Sequence, residues 1–397
     1  MRGVVAHHGV VKPELVTTHA ALTQLAAAIA VARRVAISTE DSSVRAFRPR
    51  LCLLAVALED ASGEPSGFLV DLQAFERSPQ RPEATLAPQL RDRPVVLHAA
   101  EHAVAALRRD LHLNLPHLVD TACAATLLGL PRTGYRALCA ERLGVQLPAA
   151  LSIDWRLRPL PEAAFEAAWA DAAHLLPLHD ALALRIRAAD LDEEWALASA
   201  EVAATRSRSN LTSPDSPWRL PEARALRPDQ RGVLATLTAW REGKAREFDC
   251  PPGQIVPNRE LVQLARASGE AAALRLAEPS AQGGFHSRLM WADREALRLI
   301  LLTGETDGGH GPAPRTPGDG RPTPVMQARV KRLKAWRAEE ATRRGVGLQA
   351  VLPAAVMAHL ARHGAEALPD TPGFGAARLR RYGDVLRTVL SDASPER

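Results

Sequence analysis

The chain has 397 residues, of which 46% are hydrophobic and 24% charged. That is too long for one ordinary core and implies two or three domains. Its 50 Lys and Arg exceed its 45 Asp and Glu, giving a formal charge of +5 and favouring a polyanionic partner. No apolar run reaches the roughly 20 residues of a spanning helix, and the start lacks a secretory core with a small-residue cleavage site, so a cytoplasmic protein without a membrane partner is expected. Cys52, Cys123, Cys139 and Cys250 lie far apart without a Cys-x-x-Cys pair, so neither a zinc site nor a disulfide framework is suggested and they read as buried thiols.

His7 and His8 have no second cluster to join as metal ligands and read as part of a solvated arm. From Thr17 a capping residue and apolar positions at helical spacing predict a first helix. Val35-Ala36-Ile37 ends in the polar cluster Ser38-Thr39-Glu40-Asp41, and a second apolar run extends from Leu51 to Leu58, so two strands joined by a polar connection are expected. The turn signal Gly63 to Gly67 leads into a third strand at Phe68 to Asp71, which suggests an antiparallel meander. Arg93 to His98 reads as a fourth strand and Ala99 to Leu113 as a helix, with helices dominating from there to Ile186. A further helical pattern runs from Leu191 to about Ala204, and the polar stretch Arg206 to Pro217 reads as a linker that closes the first domain.

Several of these segments resemble ribonuclease D, a 3′-to-5′ exonuclease family of the DEDD superfamily. Val35 to Glu40 is similar to its first motif, Ala-Leu-Asp-Thr-Glu-Phe, and Phe47 to Leu54 to the strand after that motif. His98 to Ala103 corresponds to the family's His-Ala-x-x-x-Asp. Val119 to Gly129 matches Ile-Asp-Thr-Gln-x-Ala-Ala-x-Leu-x-Gly, Tyr135 to Leu138 and Leu143 to Leu147 match the family's next segment, and Asp154 to Leu160 matches Asp-Trp-x-x-Arg-Pro-Leu. A lysine usual before that tryptophan is replaced by Pro148-Ala149-Ala150. Leu175 to Leu178 fixes the frame of the third motif, Tyr-x-x-x-Asp, so that Asp171 is the retained aspartate and Ala167 stands in place of the tyrosine, on the same helix face.

The resemblance implies a ribonuclease H-like α/β exonuclease domain, a mixed sheet flanked by helices, over residues 1–204 and a linker over 205–224. Beyond it, Leu237 to Leu261 resembles the HRDC domain, the small helical module shared with RecQ-type helicases, through its Trp-Arg-x-x-x-Ala-Arg hallmark. The pattern recurs. Trp336 aligns with Trp240, Leu348 to Pro353 with the proline-containing loop, and Arg380 to Leu386 with the final helix, an internal repeat. Two all-α HRDC modules are therefore expected, at 225–304 and 326–392, separated by a Gly- and Pro-rich linker over 305–325.

Within the family frame, two-metal hydrolysis needs cations held about 4 Å apart, and magnesium is held chiefly by carboxylates. Ser38 takes the place of the bridging aspartate, Ala103 that of a second aspartate and Ala167 that of the water-orienting tyrosine. Glu40 and Asp171 are the acids left to ligate a metal. Outside the motifs they would read as two solvated acids, and recruiting Asp41 by a one-residue slip would turn its side chain to the other face of the strand. Glu101 and His102 are displaced from position 103 by about 100° per residue. Since losses even around metal ligands cost about 10 to 100-fold, the expectation is a catalytically impaired relative that binds nucleic acid, RNA ahead of DNA, with no cofactor. An active exoribonuclease using magnesium or manganese, and a protein-interaction scaffold, are the alternatives. Arg241, Lys244 and Arg246 of the first module, with Arg329, Lys331, Arg332 and Lys334 of the second, are the candidate phosphate contacts, against the reading that they form a solvated face around the core residues Trp240 and Trp336.

Overall fold

The computed structural model describes residues 11–79, 81–148, 153–205, 217, 220–267, 269, 288–303 and 323–391. The His7-His8 pair, Ala149-Ala150 and most of both expected linkers lie outside these residues, while the described end of the first, Pro221–Arg224, is a helix rather than linker and its Ala223 joins the module core. The described residues group into two compact units: one joins those up to Glu40, those from Leu51 to Thr205 and those from Thr323 onward, while the other joins Asp41–Arg50 to those between Pro217 and Thr303.

The larger unit is built on a six-stranded sheet of β1 (Glu14–Val16), β2 (Arg34–Asp41), β3 (Leu51–Glu59), β4 (Pro65–Asp71), β5 (Val95–Leu97) and β6 (Leu118–Asp120), in the order β1-β4-β3-β2-β5-β6. The meander expectation holds for β3 and β4, which pair antiparallel from Leu53↔Asp71 to Glu59↔Pro65. β5 instead runs parallel to β2, with Val35 opposite Val95, and β6 runs parallel to β5. A mixed sheet results.

Side chains alternate across this sheet. Val35, Ile37, Leu54, Val56 and Val70 face α1 (His19–Val31), α2 (Pro82–Leu90) and α3 (Glu101–Leu111) in one buried cluster. Ala36, Leu53, Ala55, Ala57 and Leu69 face α6 (Glu162–Ala173) in another, through Ala168, Trp169 and Ala172. The small side chains on the second face let α6 approach closely. At Gly67 of β4 a Cβ would collide with the Trp169 ring, so only glycine fits there.

α1 is capped by the Thr18 hydroxyl, which accepts the Ala21 N–H at 3.3 Å. Helices α4 (Thr121–Leu127), α5 (Tyr135–Leu138), α7 (Leu175–Ala188) and α8 (Asp192–Ala203) complete the first domain. In the smaller unit, α9 (Pro221–Arg224), α10 (Pro228–Phe248), α11 (Pro252–Ile255), α12 (Asn258–Ala267) and α13 (Trp291–Thr303) form the first helical module. α14 (Pro324–Arg344), α15 (Leu348–Val351), α16 (Ala354–His363) and α17 (Ala376–Leu390) form the second. Trp240 and Trp336 pack against the respective module cores, as their spacing suggests. No helix among the described residues is long and apolar enough to cross a membrane.

The second module shares its compact unit with the first domain through specific bonds. The Glu193 carboxylate accepts the Ala376 and Ala377 N–H groups at the start of α17, both at 2.6 Å. Arg381 bridges Glu194 at 2.7 Å and Asp190 at 2.5 Å, and Gly347 donates its N–H to Leu127 O at 2.7 Å. A Cβ at Gly347 would strike the Thr126 carbonyl, so the approach requires a bare backbone.

In the smaller unit, the Asp41–Arg50 connection is part of the module core. Phe47, 5% exposed, packs among Leu234, Leu237 and Ile255. Its N–H donates to Asp249 Oδ1 at 3.2 Å, and Gln254 Nε2 donates to Val44 O at 2.9 Å. Phe47→Ala is therefore expected to destabilise the first helical module by about 3–5 kcal/mol, read as a lower denaturation midpoint and faster amide exchange in α10 and α12.

Candidate functional site

β2 delivers two of the site positions. Ser38 and Glu40 have the strand parity of Ala36, so they stand on the sheet face against which α6 packs, and both are half-buried. Asp41 has the opposite parity and its carboxylate accepts the Ser43 N–H at 2.8 Å, holding the turn after the strand. The strand register thus leaves Asp41 off the Glu40 face.

Position 103 lies in the first turn of α3. Ala103 is half-buried and its methyl packs against the core shared by α1, α3 and the opposite sheet face. Glu101 and His102 are exposed on the same turn, so neither replaces a carboxylate at position 103. The helix starts two residues later than the apolar spacing suggests because Ala99 adopts a left-handed conformation, φ 49°. His98 before it places Nδ1 2.9 Å from the Thr121 hydroxyl and packs its ring 5.6 Å from that of Tyr135. Burial pushes the His98 imidazole below its ordinary pKa, towards the neutral form.

α6 carries Ala167 and, one turn later, Asp171. Ala167 is 6% exposed, and its methyl group leaves no hydroxyl to orient a water. Asp171 Oδ1 accepts from Arg136 Nη2 at 3.0 Å. Arg136 is on α5 and also donates to the Pro148 carbonyl, which fixes the guanidinium against the Asp171 side of α6. Burial raises the Asp171 carboxyl above the usual range, and Arg136 pulls it partly back. Beside it, the Tyr135 hydroxyl donates to Ala170 O at 3.3 Å and accepts the His174 N–H at 3.2 Å, so it braces the end of α6.

Arg136 is the residue sequence reasoning missed. It falls in a matched segment but outside any motif that names a charge, and only the packing of α5 on α6 brings it to Asp171.

Among the described residues no group of three or more His, Cys, Asp or Glu side chains is gathered to hold a metal ion. At the family positions the donors are the Glu40 and Asp171 carboxylates, the second already engaged by a guanidinium. Such a donor set does not fit a pair of hard divalent cations, which take most of their protein ligands from carboxylates.

The other matched motif has an architectural role. In Asp154 to Leu160, Arg158 makes a two-pronged ion pair with Asp71 at the end of β4, with both contacts at 2.6 Å.

Of the seven candidate phosphate contacts, Arg241 and Arg332 are corrected by the structure. Arg241 is 1% exposed and donates to Val256 O at 3.0 Å and Asn258 Oδ1 at 2.6 Å. Burial lowers its pKa to about 10. Arg332 donates to Val389 O at 2.7 Å and Ser391 O at 3.1 Å, closing the end of α17. Lys244 is held between Asp293 at 2.6 Å and Glu247 at 2.7 Å. Arg329 is half-buried against Gly364. Arg246, whose guanidinium lies 5.2 Å from the centre of the Phe47 ring, is exposed, as are Lys331 and Lys334. Helical spacing identified the bases but not the chain segments that fold over two of them.

Comparison with known proteins places this geometry. The family model described as 3'-5' exonuclease matches residues 13–187, and the one described as HRDC domain matches residues 230–272 and 326–389. Ribonuclease D of Gluconacetobacter diazotrophicus is 30% identical over 343 residues, covering 83% of this chain and 81% of that protein. Ribonuclease D of Acidiphilium cryptum is 27% identical over 388 residues, covering 95% and 93%. The crystal structure of Escherichia coli RNase D, described as an exoribonuclease involved in structured RNA processing, superposes with a TM-score of 0.65 at 22% identity, over 95% of this chain and 98% of that one.

Two outcomes test these assignments. A carboxyl held above its unfolded pKa binds its proton more tightly in the native state, so its stabilising contribution is complete at pH below the ordinary carboxylate range and declines as pH rises through the native titration point. Arg136→Met removes the attraction that favours the ionised form, and the Asp171 carboxyl should then titrate at still higher pH by carbon-detected NMR. Arg241→Ala should cost about 2–4 kcal/mol in chemical denaturation through loss of charged hydrogen bonds and unsatisfied acceptors, while leaving the salt dependence of nucleic-acid binding unchanged.

Proposed function

The chain belongs to the ribonuclease D family, and from that premise we propose that it binds RNA through an exonuclease scaffold and two HRDC modules while hydrolysing it very slowly or not at all. The observation that carries this reading is the ion pair between Arg136 and Asp171, at the one family position on α6 that keeps a metal-ligating acid. Two magnesium ions bring four positive charges, and Glu40 and Asp171 offer two negative ones. Arg136 adds a further positive charge, held there by the Pro148 carbonyl as well as by Asp171. Divalent cations held against that balance, with Ser38, Ala103 and Ala167 supplying no carboxylate or phenol, would bind weakly.

RNA ahead of DNA is supported by the relatives, which are ribonucleases by name, and by the RNA-processing role given to the Escherichia coli enzyme. The excess of basic residues supports a polyanion in general.

The test is a gel-shift series with 5′-labelled single-stranded RNA, structured RNA and DNA, run with magnesium and with chelator, then denaturing electrophoresis of the same samples. Equal binding in both conditions and strands of unchanged length are expected. A ladder of 3′-shortened RNA in magnesium that Glu40→Gln abolishes would establish an active exoribonuclease instead. Absence of RNA and DNA binding at low salt would leave a protein scaffold.

A further inference from the structure

The face of α13 turned away from the module core carries a side chain that none of the roles above uses. The helix buries Leu297 and Leu301, at 0% and 1% exposure, against the core of the first helical module. Trp291, its first residue, is 77% exposed, and Met290 before it is 70% exposed. An indole carries the largest apolar surface of any side chain, and on the solvent side of α13 it is accompanied by Leu299 and Leu302, 54% and 41% exposed.

The turn that carries Trp291 is tied at two points. Asp293 Oδ2 accepts the Met290 N–H at 2.8 Å, closing the first turn of the helix. Asp293 Oδ1 pairs with Lys244 of α10 at 2.6 Å, which ties that turn to the longest helix of the module. Basic residues flank it along the chain and on the helix. Arg288, three residues before Trp291, stacks its guanidinium 4.4 Å from the centre of the Phe248 ring, and Lys244 Nζ lies 5.9 Å from the same ring. Arg294 comes one helical turn after Trp291, and Arg298, paired with Glu295 at 2.6 Å, two turns after it. Each nearby acid, Asp293, Glu295 and Glu247, has a basic partner in this set.

An exposed aromatic ring on a fixed helix start, bordered by cations, has the two properties that hold an unpaired nucleotide: a face for the base and charge for the phosphates. We propose that Trp291 is a stacking platform for an unpaired RNA base, with Arg288 and Arg294 contacting the flanking phosphates. This rests on the RNA-binding reading above and assigns it a residue outside the hallmark of the module.

The experiment is a fluorescence-anisotropy titration of the full chain with a labelled single-stranded RNA and with a blunt RNA duplex. Trp291→Ala should weaken single-strand binding by about five- to a hundredfold, the range found for loss of one stacked base, and leave the duplex unchanged. Trp291→Phe should keep most of the affinity. Arg294→Gln should lower the slope of log affinity against log salt by about 0.7. If the unaltered chain binds RNA and Trp291→Ala binds single strands within twofold of it, the stacking assignment is overturned while the RNA-binding reading stands. Altered sedimentation of Trp291→Ala at unchanged RNA affinity would likewise overturn it, in favour of a protein contact. Failure of the unaltered chain to bind any RNA would overturn both.

Discussion

Asp120, 1% exposed at the end of β6, spreads its carboxylate over three backbone N–H groups, those of Ala99 at 3.0 Å, Ala100 at 2.8 Å and Ala122 at 2.7 Å. These contacts hold the left-handed turn after β5, the entry to α3 and the first turn of α4. Its N–H donates to the Ser199 hydroxyl at 3.1 Å and its carbonyl accepts Trp195 Nε1–H at 2.8 Å, which brings α8 to the same point. Thr121 adds a bond from its hydroxyl to Leu97 O at 3.0 Å. Removing one partner from a buried, hydrogen-bonded charge is among the costliest changes a fold can suffer. The Asp-Thr pair of the matched motif is therefore architecture: it sets where His98, Ala103 and α3 stand, and both of its carboxylate oxygens are engaged by backbone rather than directed at chemistry.

The internal repeat shows the same division between framework and surface. Arg241 and Arg337 come directly after the hallmark tryptophans, and both turn inward to donate to a carbonyl of the segment after their helix, Val256 O at 3.0 Å and Leu348 O at 3.1 Å. Two copies with divergent sequences make the same kind of bond, so the Trp-Arg hallmark encodes how a module closes its loop. The modules then differ in what they leave exposed. In the second, Arg344 donates to Ala189 O at 2.7 Å and Arg381 is held by two acids of the first domain, so part of its basic surface is engaged within its own unit. In the first, an indole remains in solvent.

The sequence was a good guide where an element is long and periodic. The capping signal from Thr17 and the apolar spacing after it mark α1, whose cap proves to be Thr18, and Leu51 to Leu58 marks a strand buried on both faces. β1 and β6 escaped because each has three residues with an acid at one end, whereas the equally short β5 is the uninterrupted apolar run Val95-Val96-Leu97 and was legible. Of the family positions, Ser38 and Glu40 stand on β2 and Ala167 and Asp171 on α6, whereas Ala103 on α3 packs towards the opposite sheet face. The motif frame did not reveal Arg136, since an ion pair between residues 35 positions apart leaves no local pattern. Arg241 was misread for a related reason. Helical periodicity separates faces of a helix but is blind to a loop that returns over one of them.

The framework and the chemistry are separable in this fold, and electrostatics explains why. The bonds of Asp120 named above run to positions 99, 100, 122, 195 and 199 and to none of 38, 40, 103, 167 or 171, so this junction is held by groups other than the site positions. A cluster of carboxylates without cations is self-repelling, and each member is disfavoured by burial. Asp171 still bears that cost, since burial raises its carboxyl above the usual range and Arg136 offsets this only in part. Serine or alanine at the neighbouring positions removes repulsion, and a guanidinium supplies locally the charge that a metal would bring. On the reading proposed above, such side chains trade catalytic capacity for a lower electrostatic cost at the site, and a scaffold that binds RNA without cutting it would have no physical reason to keep its acids.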